Sequence, residues 1–176
     1  MINTGGIVME DTNKKHVLMF SGGLDSYLAL LALLDNGITP QLVYVKHHSK
    51  NDKFQLRKAK MLAGLHKLKL IEDETVINLG RWEQENAFIP NRNGFLAMVG
   101  SLYGNRIYFA IMDGEQSYQD CKQTTFSALS IALSLLKGET VIVDSPFWDL
   151  TKNEVIQQLE PRWKNTLKLS YSCHNG

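Results

Sequence analysis

The residues best suited to chemistry lie close together at residues 21–26, which read Ser-Gly-Gly-Leu-Asp-Ser. Gly22 and Gly23 let the backbone take positive φ angles and let a ligand approach bare N–H groups. A helix is expected to begin directly after them, so these N–H groups lie at its positive end. Phosphate binds well at such a position. The segment therefore predicts a site for phosphate or pyrophosphate.

The segments on either side of the glycines are those that a phosphate-binding loop needs. Residues 17–20 form a short apolar run, which is typical of a central parallel strand. Residues 27–34 are strongly apolar, contain good helix formers and end before Asn36-Gly37. The chain thus predicts a strand, a glycine turn and a helix in succession. An ordinary strand-to-helix turn that binds nothing is the alternative.

The spacing of the glycines excludes two common nucleotide-binding loops. A Walker loop needs Gly-x-x-x-x-Gly-Lys-Ser/Thr and a dinucleotide loop needs Gly-x-Gly-x-x-Gly, and neither occurs at this strand end. The pattern instead resembles the PP-loop of the N-type ATP pyrophosphatases, enzymes that split ATP into AMP and pyrophosphate. This resemblance implies that ATP is held by the whole loop, which comprises Ser21, Gly22, Gly23, Leu24, Asp25 and Ser26. It also implies that Asp25 helps to place Mg²⁺.

The rest of the chain alternates between strand-like and helical runs. Strands are predicted at residues 41–45, 68–71, 106–111 and 140–143, and helices at residues 54–66, 94–103, 124–136 and 152–159, the last ended by Pro161. This alternation predicts an α/β fold with a doubly wound, mostly parallel sheet of about five strands and helices on both faces. Ligands of such sheets lie beyond the carboxyl ends of the strands. Tyr44 and Val45 are therefore candidate contacts for adenine.

Composition limits the architecture and the partners. At 176 residues we expect a loose arm over residues 1–15 and a single domain over residues 16–176. With 19 basic and 18 acidic residues the chain lacks the excess of positive charge that is typical of proteins that bind nucleic acid or a membrane surface. No apolar run is long enough to span a bilayer and residues 1–15 lack a secretory signal, so we expect a cytoplasmic protein. Cys121 and Cys173 are expected to be free thiols.

Three other positions admit both a functional and a structural interpretation. His47 and His48 suggest a metal, but adjacent residues do not easily face one ion, and a solvated loop is the favoured interpretation. Asn91 or Asn93 is expected to cap the helix that follows, which is a structural role. Capping explains Arg92 less well, and its guanidinium could bind a phosphate or a carboxylate through two hydrogen bonds.

Three later motifs indicate which family of PP-loop enzymes the chain resembles. Pro-Asn-Arg-Asn at residues 90–93, Tyr-Gln-Asp-Cys at residues 118–121 and Ser-Cys-His-Asn-Gly at residues 172–176 occur in that order after the loop. With them the chain resembles the 7-cyano-7-deazaguanine synthases from about Lys15 to its last residue. The resemblance implies ATP-dependent conversion of a 7-deazaguanine carboxylate, with ammonia, to an amide and then a nitrile, in the biosynthesis of queuosine-type bases.

The same resemblance implies roles for individual residues. Asp25, Ser26 and Arg92 are the predicted catalytic residues, with Arg92 on the ATP phosphates or the substrate carboxylate. The deazapurine is expected against Tyr118, Asp120, Cys121 and Arg92, where an aspartate accepts hydrogen bonds from a guanine-like N1–H and amino group. A cap for the helix that begins near Thr124 is the alternative role of Asp120.

The chain also departs from the family pattern. Ser117, Gln119 and Lys122 stand where the family has glycine, proline and arginine around its Tyr-Pro-Asp-Cys loop. The family binds zinc through four cysteines, of which this chain matches only Cys173, so a zinc site is not expected from its own cysteines. Another PP-loop enzyme that adenylates tRNA and a non-catalytic nucleotide-binding protein remain alternatives, and a homodimer is left open.

Overall fold

The computed structural model describes residues 15–48, 51–75, 78–85, 88–114 and 118–172. Its strands are β1 (His16–Met19), β2 (Gln41–Val45), β3 (Leu70–Asp73), β4 (Arg106–Tyr108) and β5 (Ile142–Asp144). Its α-helices are α1 (Leu24–Asp35), α2 (Asp52–Leu65), α3 (Arg92–Tyr103), α4 (Gln123–Lys137) and α5 (Lys152–Ser172). Two short 3₁₀ helices cover Leu79–Trp82 and Gln119–Cys121.

The five strands form one parallel sheet in the order β3-β2-β1-β4-β5. Strand β1 is central and pairs with β2 on one side and with β4 on the other. The chain therefore winds outward through β2 and β3, returns across the sheet, and continues through β4 and β5. Ligands of open parallel sheets bind at such a change of direction, beyond the carboxyl ends of the strands.

Alternate residues of the strands pack against two helical layers. Leu18, Leu42 and Tyr108 belong to a core that also contains residues of α1, α2 and α5. Val17 and Ile107 belong to a second core with residues of α3 and α4. The predicted doubly wound fold, with a five-stranded parallel sheet and helices on both faces, is thus confirmed.

The predicted end of the last helix is wrong. Pro161 lies inside α5, which continues to Ser172. Beyond the proline, α5 is held against α1, because Arg162 Nη1 and Trp163 Nε1 both donate to Asp35 Oδ1, at 2.9 and 3.1 Å. These long-range contacts offset the hydrogen bond that proline removes from a helix.

Other predicted bounds differ by a few residues. The strand predicted at residues 106–111 ends at Tyr108, after which Ile111 N–H donates to the Ser145 hydroxyl instead of to a strand. The sequence Thr-Lys-Asn-Glu at residues 151–154 predicts a capping box at the start of α5. The structure confirms it, because Thr151 N–H donates to Glu154 Oε2 at 2.8 Å and Glu154 N–H donates to Thr151 Oγ1 at 3.4 Å. None of the helices in the described part of the chain has the length and apolar character that crossing a membrane requires.

Candidate functional site

The glycine loop joins β1 to α1 and is built against α2. Gly22 has a φ of +75°, and a Cβ added there would lie 2.4 Å from the backbone nitrogen of Ala59 and 2.8 Å from the carbonyl oxygen of Gln55. Both atoms belong to the backbone of α2, so they cannot rotate away. Only glycine combines this φ with this close approach.

The two serines of the loop are held by hydrogen bonds within it. Gly23 N–H donates to Ser21 Oγ at 3.3 Å, and Ser21 Oγ donates to Ser26 Oγ at 3.2 Å. Ser26 Oγ in turn donates to the Gly23 carbonyl at 3.0 Å, on the first turn of α1. The hydroxyls are therefore fixed before a ligand arrives. Leu24 begins α1, with Gly23 in extended conformation at the N-cap.

Asp25 is the acidic residue of the loop, and its carboxylate has an unusual environment. Its Oδ1 atom is buried and accepts no well-aligned hydrogen bond from the described residues. Lys152 Nζ nevertheless lies 2.7 Å away, close enough for an ion pair but without hydrogen-bond alignment. The sequence predicts only a capping box for the segment that contains Lys152, and the structure brings this side chain to the glycine loop.

A cavity of about 570 Å³ lies at the carboxyl ends of β1, β2 and β4. It brings together most of the predicted site residues, namely Ser21, Asp25, Ser26, Tyr44, Val45, Arg92, Tyr118 and Cys121. Gly22, Gly23 and Leu24 lie in the adjoining loop, and Asp120 is turned toward α3 instead of lining the cavity. Cys173 lies outside the described residues. The roles assigned to these residues stay predictions.

Asn93 links the start of α3 to the segment that contains Asp120 and Cys121. Its buried side chain donates from Nδ2 to the Asp120 carbonyl at 3.0 Å and to Cys121 Sγ at 3.3 Å. Its backbone N–H donates to Asp120 Oδ2 at 3.3 Å. The sequence indicated Asn93 only as a helix cap, because the partners that give it this role are 27 and 28 residues away.

The capping predictions for this region are therefore wrong. Asn91 is at the N-cap position of α3 but has a left-handed φ of 59°, and its side chain makes no cap hydrogen bond. Asp120 supplies a carboxylate to α3, while α4 begins after Lys122. The physical reason is that the segment containing Asp120 folds back over the first turn of α3, where backbone N–H groups need acceptors.

The thiol of Cys121 is neutral at physiological pH. Burial raises its pKa to about 11, and the negative charge of Asp120 adds to the shift, whereas Arg92 opposes it. A buried neutral thiol is a poor nucleophile. Cys121 is thus better suited to contacting a ligand than to attacking one.

Aromatic and imidazole side chains complete the surroundings of the cavity. The rings of Phe88 and Tyr118 stack with their centroids 4.5 Å apart and an interplanar angle of 10°. His47 also lines the cavity, and its Nδ1 lies 3.1 Å from the Val45 carbonyl and 3.5 Å from Asp52 Oδ1. Within the described ranges there is no group of three His, Cys, Asp or Glu residues that could hold a metal ion.

Comparisons with known proteins agree with the family that the sequence motifs resemble. The family model described as queuosine biosynthesis protein QueC matches residues 58–176. The 7-cyano-7-deazaguanine synthase of Marinomonas sp. is 25% identical, with 93% of this chain and 85% of the relative covered. The enzyme of the same name from Archaeoglobus fulgidus is 27% identical, with 92% of this chain and 78% of the relative covered.

A solved structure supports the fold alone. The predicted subunit of a tRNA methyltransferase from Methanocaldococcus jannaschii superposes with a TM-score of 0.62 at 12% sequence identity. The match covers 84% of this chain and 74% of that one.

Proposed function

Since the chain belongs to the family of queuosine biosynthesis protein QueC, we propose that it is an ATP-dependent ligase that makes 7-cyano-7-deazaguanine from 7-carboxy-7-deazaguanine and ammonia. The observation that carries the proposal is the shared cavity. Its walls include residues of the glycine loop together with the predicted substrate contacts, namely Ser21, Asp25, Ser26, Arg92, Tyr118 and Cys121. A nucleotide and a carboxylate-bearing base therefore have adjacent places in a single space.

The reaction needs activation because a carboxylate is a poor electrophile. Attack of a carboxylate oxygen on the α-phosphorus of ATP forms an acyl adenylate and releases pyrophosphate. Ammonia then attacks the acyl carbon, and AMP leaves with the original carboxylate oxygen. A second activation, on the amide oxygen, leads to the nitrile with loss of a second AMP.

The loop and Arg92 would stabilise the charge that develops on the phosphates. The N–H groups at the start of α1 are fixed donors of the kind that stabilise such charge without reorganisation. The hydroxyls of Ser21 and Ser26, which donate to Ser26 Oγ and to the Gly23 carbonyl, would turn toward the phosphates to add two further donors. Arg92 presents a guanidinium to the ATP phosphates or to the substrate carboxylate. Adenine would lie against the backbone of Tyr44 and Val45.

Asp25 fits a magnesium ion. Mg²⁺ is usually bound through one or two carboxylates together with substrate phosphates. The buried Oδ1 atom of Asp25 accepts no well-aligned hydrogen bond from the described residues, and it would become a ligand of this kind once the ammonium of Lys152, 2.7 Å away, is displaced. When bound, the metal would neutralise charge on the pyrophosphate. The proposal includes no zinc, and Cys173 lies outside the described residues.

The deazapurine would be recognised by Tyr118, Asp120 and Cys121. Asp120 Oδ2 already accepts one hydrogen bond from Asn93 N–H at 3.3 Å. The Asp120 carboxylate faces α3 and does not line the cavity. An ionised carboxylate has about four lone-pair sites, so after a turn of its side chain toward the cavity Asp120 would accept from a guanine-like N1–H and amino group. Tyr118 lines the cavity, and its ring, which is stacked on Phe88, would offer a flat apolar surface for the base.

The test is AMP formation. The protein is incubated with ATP, Mg²⁺, ammonium and 7-carboxy-7-deazaguanine, and AMP and the deazapurine products are followed by mass spectrometry. We expect AMP release that requires the deazapurine and is lost in Asp25→Ala, whose fold is checked by circular dichroism. AMP release that requires tRNA instead, or ATP binding without AMP release from any carboxylate, would contradict the proposal.

A further inference from the structure

A carboxylate that the reaction described above does not use lies in the wall of the cavity. Among the described residues that line the cavity, the carboxylates are those of Asp25 and Glu83. Asp25 belongs to the glycine loop and pairs with Lys152 at 2.7 Å. Glu83 directly follows the 3₁₀ helix Leu79–Trp82, in a segment that contains none of the sequence motifs. Of these two carboxylates, only that of Glu83 still lacks a role.

The backbone on both sides of Glu83 is held by hydrogen bonds. Gly80 N–H donates to the His47 carbonyl at 2.9 Å, just beyond the end of β2, and Glu83 N–H donates to the Gly80 carbonyl at 3.1 Å. On the other side, Gln84 N–H donates to the Phe88 carbonyl at 2.9 Å. Glu83 is thus tied both to the carboxyl end of β2 and to Phe88.

This position brings the carboxylate into the same cavity as the ring proposed to stack on the base. Phe88 stacks on Tyr118, and Tyr118 and Glu83 both line the cavity. A base that stacks on an aromatic ring keeps its edge available for hydrogen bonds in its own plane. The edge of guanine presents N1–H and an amino group side by side, and a carboxylate offers two acceptor oxygens that match these two donors.

A base with two donors also explains why a carboxylate is tolerated at this place. ATP brings several negative charges into the cavity, and a further negative charge there is unfavourable unless donors compensate it. Asp120 accepts from Asn93 N–H at 3.3 Å and would have to turn to reach the base. Glu83 lines the cavity without such a turn.

We propose that Glu83 is a specificity-determining residue, which accepts hydrogen bonds from N1–H and the amino group of the deazaguanine and thereby selects a guanine-type base. This inference rests on the proposed function, because it assumes that the substrate is a 7-deazaguanine carboxylate. A hypoxanthine-type base has N1–H but no amino group. It leaves one carboxylate oxygen of Glu83 without its donor, and sites built to bind a polar group reject analogues that lack it.

The experiment is calorimetric titration of 7-carboxy-7-deazaguanine and of 7-carboxy-7-deazahypoxanthine into the full chain. Wild type should bind the guanine-type base about 10- to 100-fold more tightly, because the analogue loses a hydrogen bond to a charged group. Glu83→Gln should lose most of this preference, because its amide group presents one acceptor and one donor to the base. Glu83→Asp keeps a carboxylate and should keep part of the preference. Glu85→Gln is the matched control with full preference, because Glu85 is exposed two residues further along the same segment.

The outcomes separate this inference from the proposed function. Full preference in Glu83→Gln overturns the role of Glu83, as does an equal loss in Glu85→Gln or a loss that occurs only in Asp120→Asn. Equal binding of the two bases by wild type overturns this inference alone, whereas binding of neither base overturns the proposed function as well.

Two further measurements exclude a purely structural effect of the substitution. Retained pyrophosphate binding shows that Glu83→Gln is folded, and Glu83→Asp replaces it if it is not. In steady-state kinetics, Glu83→Gln should raise the KM for the deazapurine and leave the KM for ATP unchanged. A raised KM for ammonium with an unchanged KM for the deazapurine would contradict the role of Glu83.

Discussion

Replacing Gly22 with alanine tests whether the loop depends on its contact with α2. The φ of +75° at Gly22 costs an L-residue about 1–2 kcal/mol. The added Cβ would also lie 2.4 Å from the Ala59 nitrogen and 2.8 Å from the Gln55 oxygen. Displacing packed backbone of this kind costs roughly 1–3 kcal/mol more. Gly22→Ala should therefore lower the free energy of unfolding by about 2–5 kcal/mol.

Two other glycines provide matched controls. Gly37 has nearly the same φ, +74°, but a Cβ there meets nothing within 4 Å, so Gly37→Ala should lose only about 1–2 kcal/mol. Gly23 has a φ of −73°, and its nearest contact would be Ser21 Oγ at 3.4 Å, so Gly23→Ala should be nearly neutral for stability.

The assay is urea unfolding followed by circular dichroism, paired with calorimetric titration of pyrophosphate. We expect Gly22→Ala to be the least stable of the three variants and to lose pyrophosphate binding, whereas Gly37→Ala keeps it. If Gly22→Ala and Gly37→Ala are equally destabilised, the contact with α2 does not constrain the loop and the reasoning is refuted.

Two further predictions concern Asn93 and His66. Asn93→Ala removes the donor to the Asp120 carbonyl and to Cys121 Sγ, so it should lower the free energy of unfolding by about 1–3 kcal/mol. Because these contacts hold the segment that contains Asp120 and Cys121, we expect the KM for the deazapurine to rise more than the KM for ATP. Steady-state kinetics in which the KM for ATP rises more would contradict this role. Burial lowers the pKa of His66, whose Nε2 lies 2.9 Å from the Tyr27 hydroxyl, so the unfolded chain binds the proton more readily than the folded one. The stability that His66 contributes is therefore present above its ordinary pKa of about 6.5 and declines as the pH falls below it. Urea unfolding at pH 7.5 and 5.5 should show a smaller decline in His66→Gln than in wild type, and equal declines would rule this explanation out.

Local features of the chain were sufficient to predict the fold and the loop. The apolar run before Gly22 and the helix after Gly23 are readable from spacing, because strand and helix periodicity depend on near neighbours. The strand over residues 106–111 was predicted too long, because its apolar character continues past Tyr108 while the backbone leaves the sheet and turns toward Ser145.

Features that depend on distant contacts were not predictable. Asn93 makes its hydrogen bonds with residues 27 and 28 positions away, and Lys152 pairs with Asp25, which is on another helix. The continuation of α5 past Pro161 depends on Asp35, which lies 127 positions before Arg162. A single sequence does not show such pairs, since nothing in local spacing connects them.

The central claim is that the carboxylate of a 7-deazapurine is activated by adenylation in this cavity. The most direct measurement uses 7-carboxy-7-deazaguanine labelled with ¹⁸O in the carboxylate, together with ATP, Mg²⁺ and ammonium, and determines the mass of the released AMP. If a carboxylate oxygen attacks the α-phosphorus, AMP carries one ¹⁸O atom and the deazapurine product has lost it. AMP that is released without the label would contradict the account.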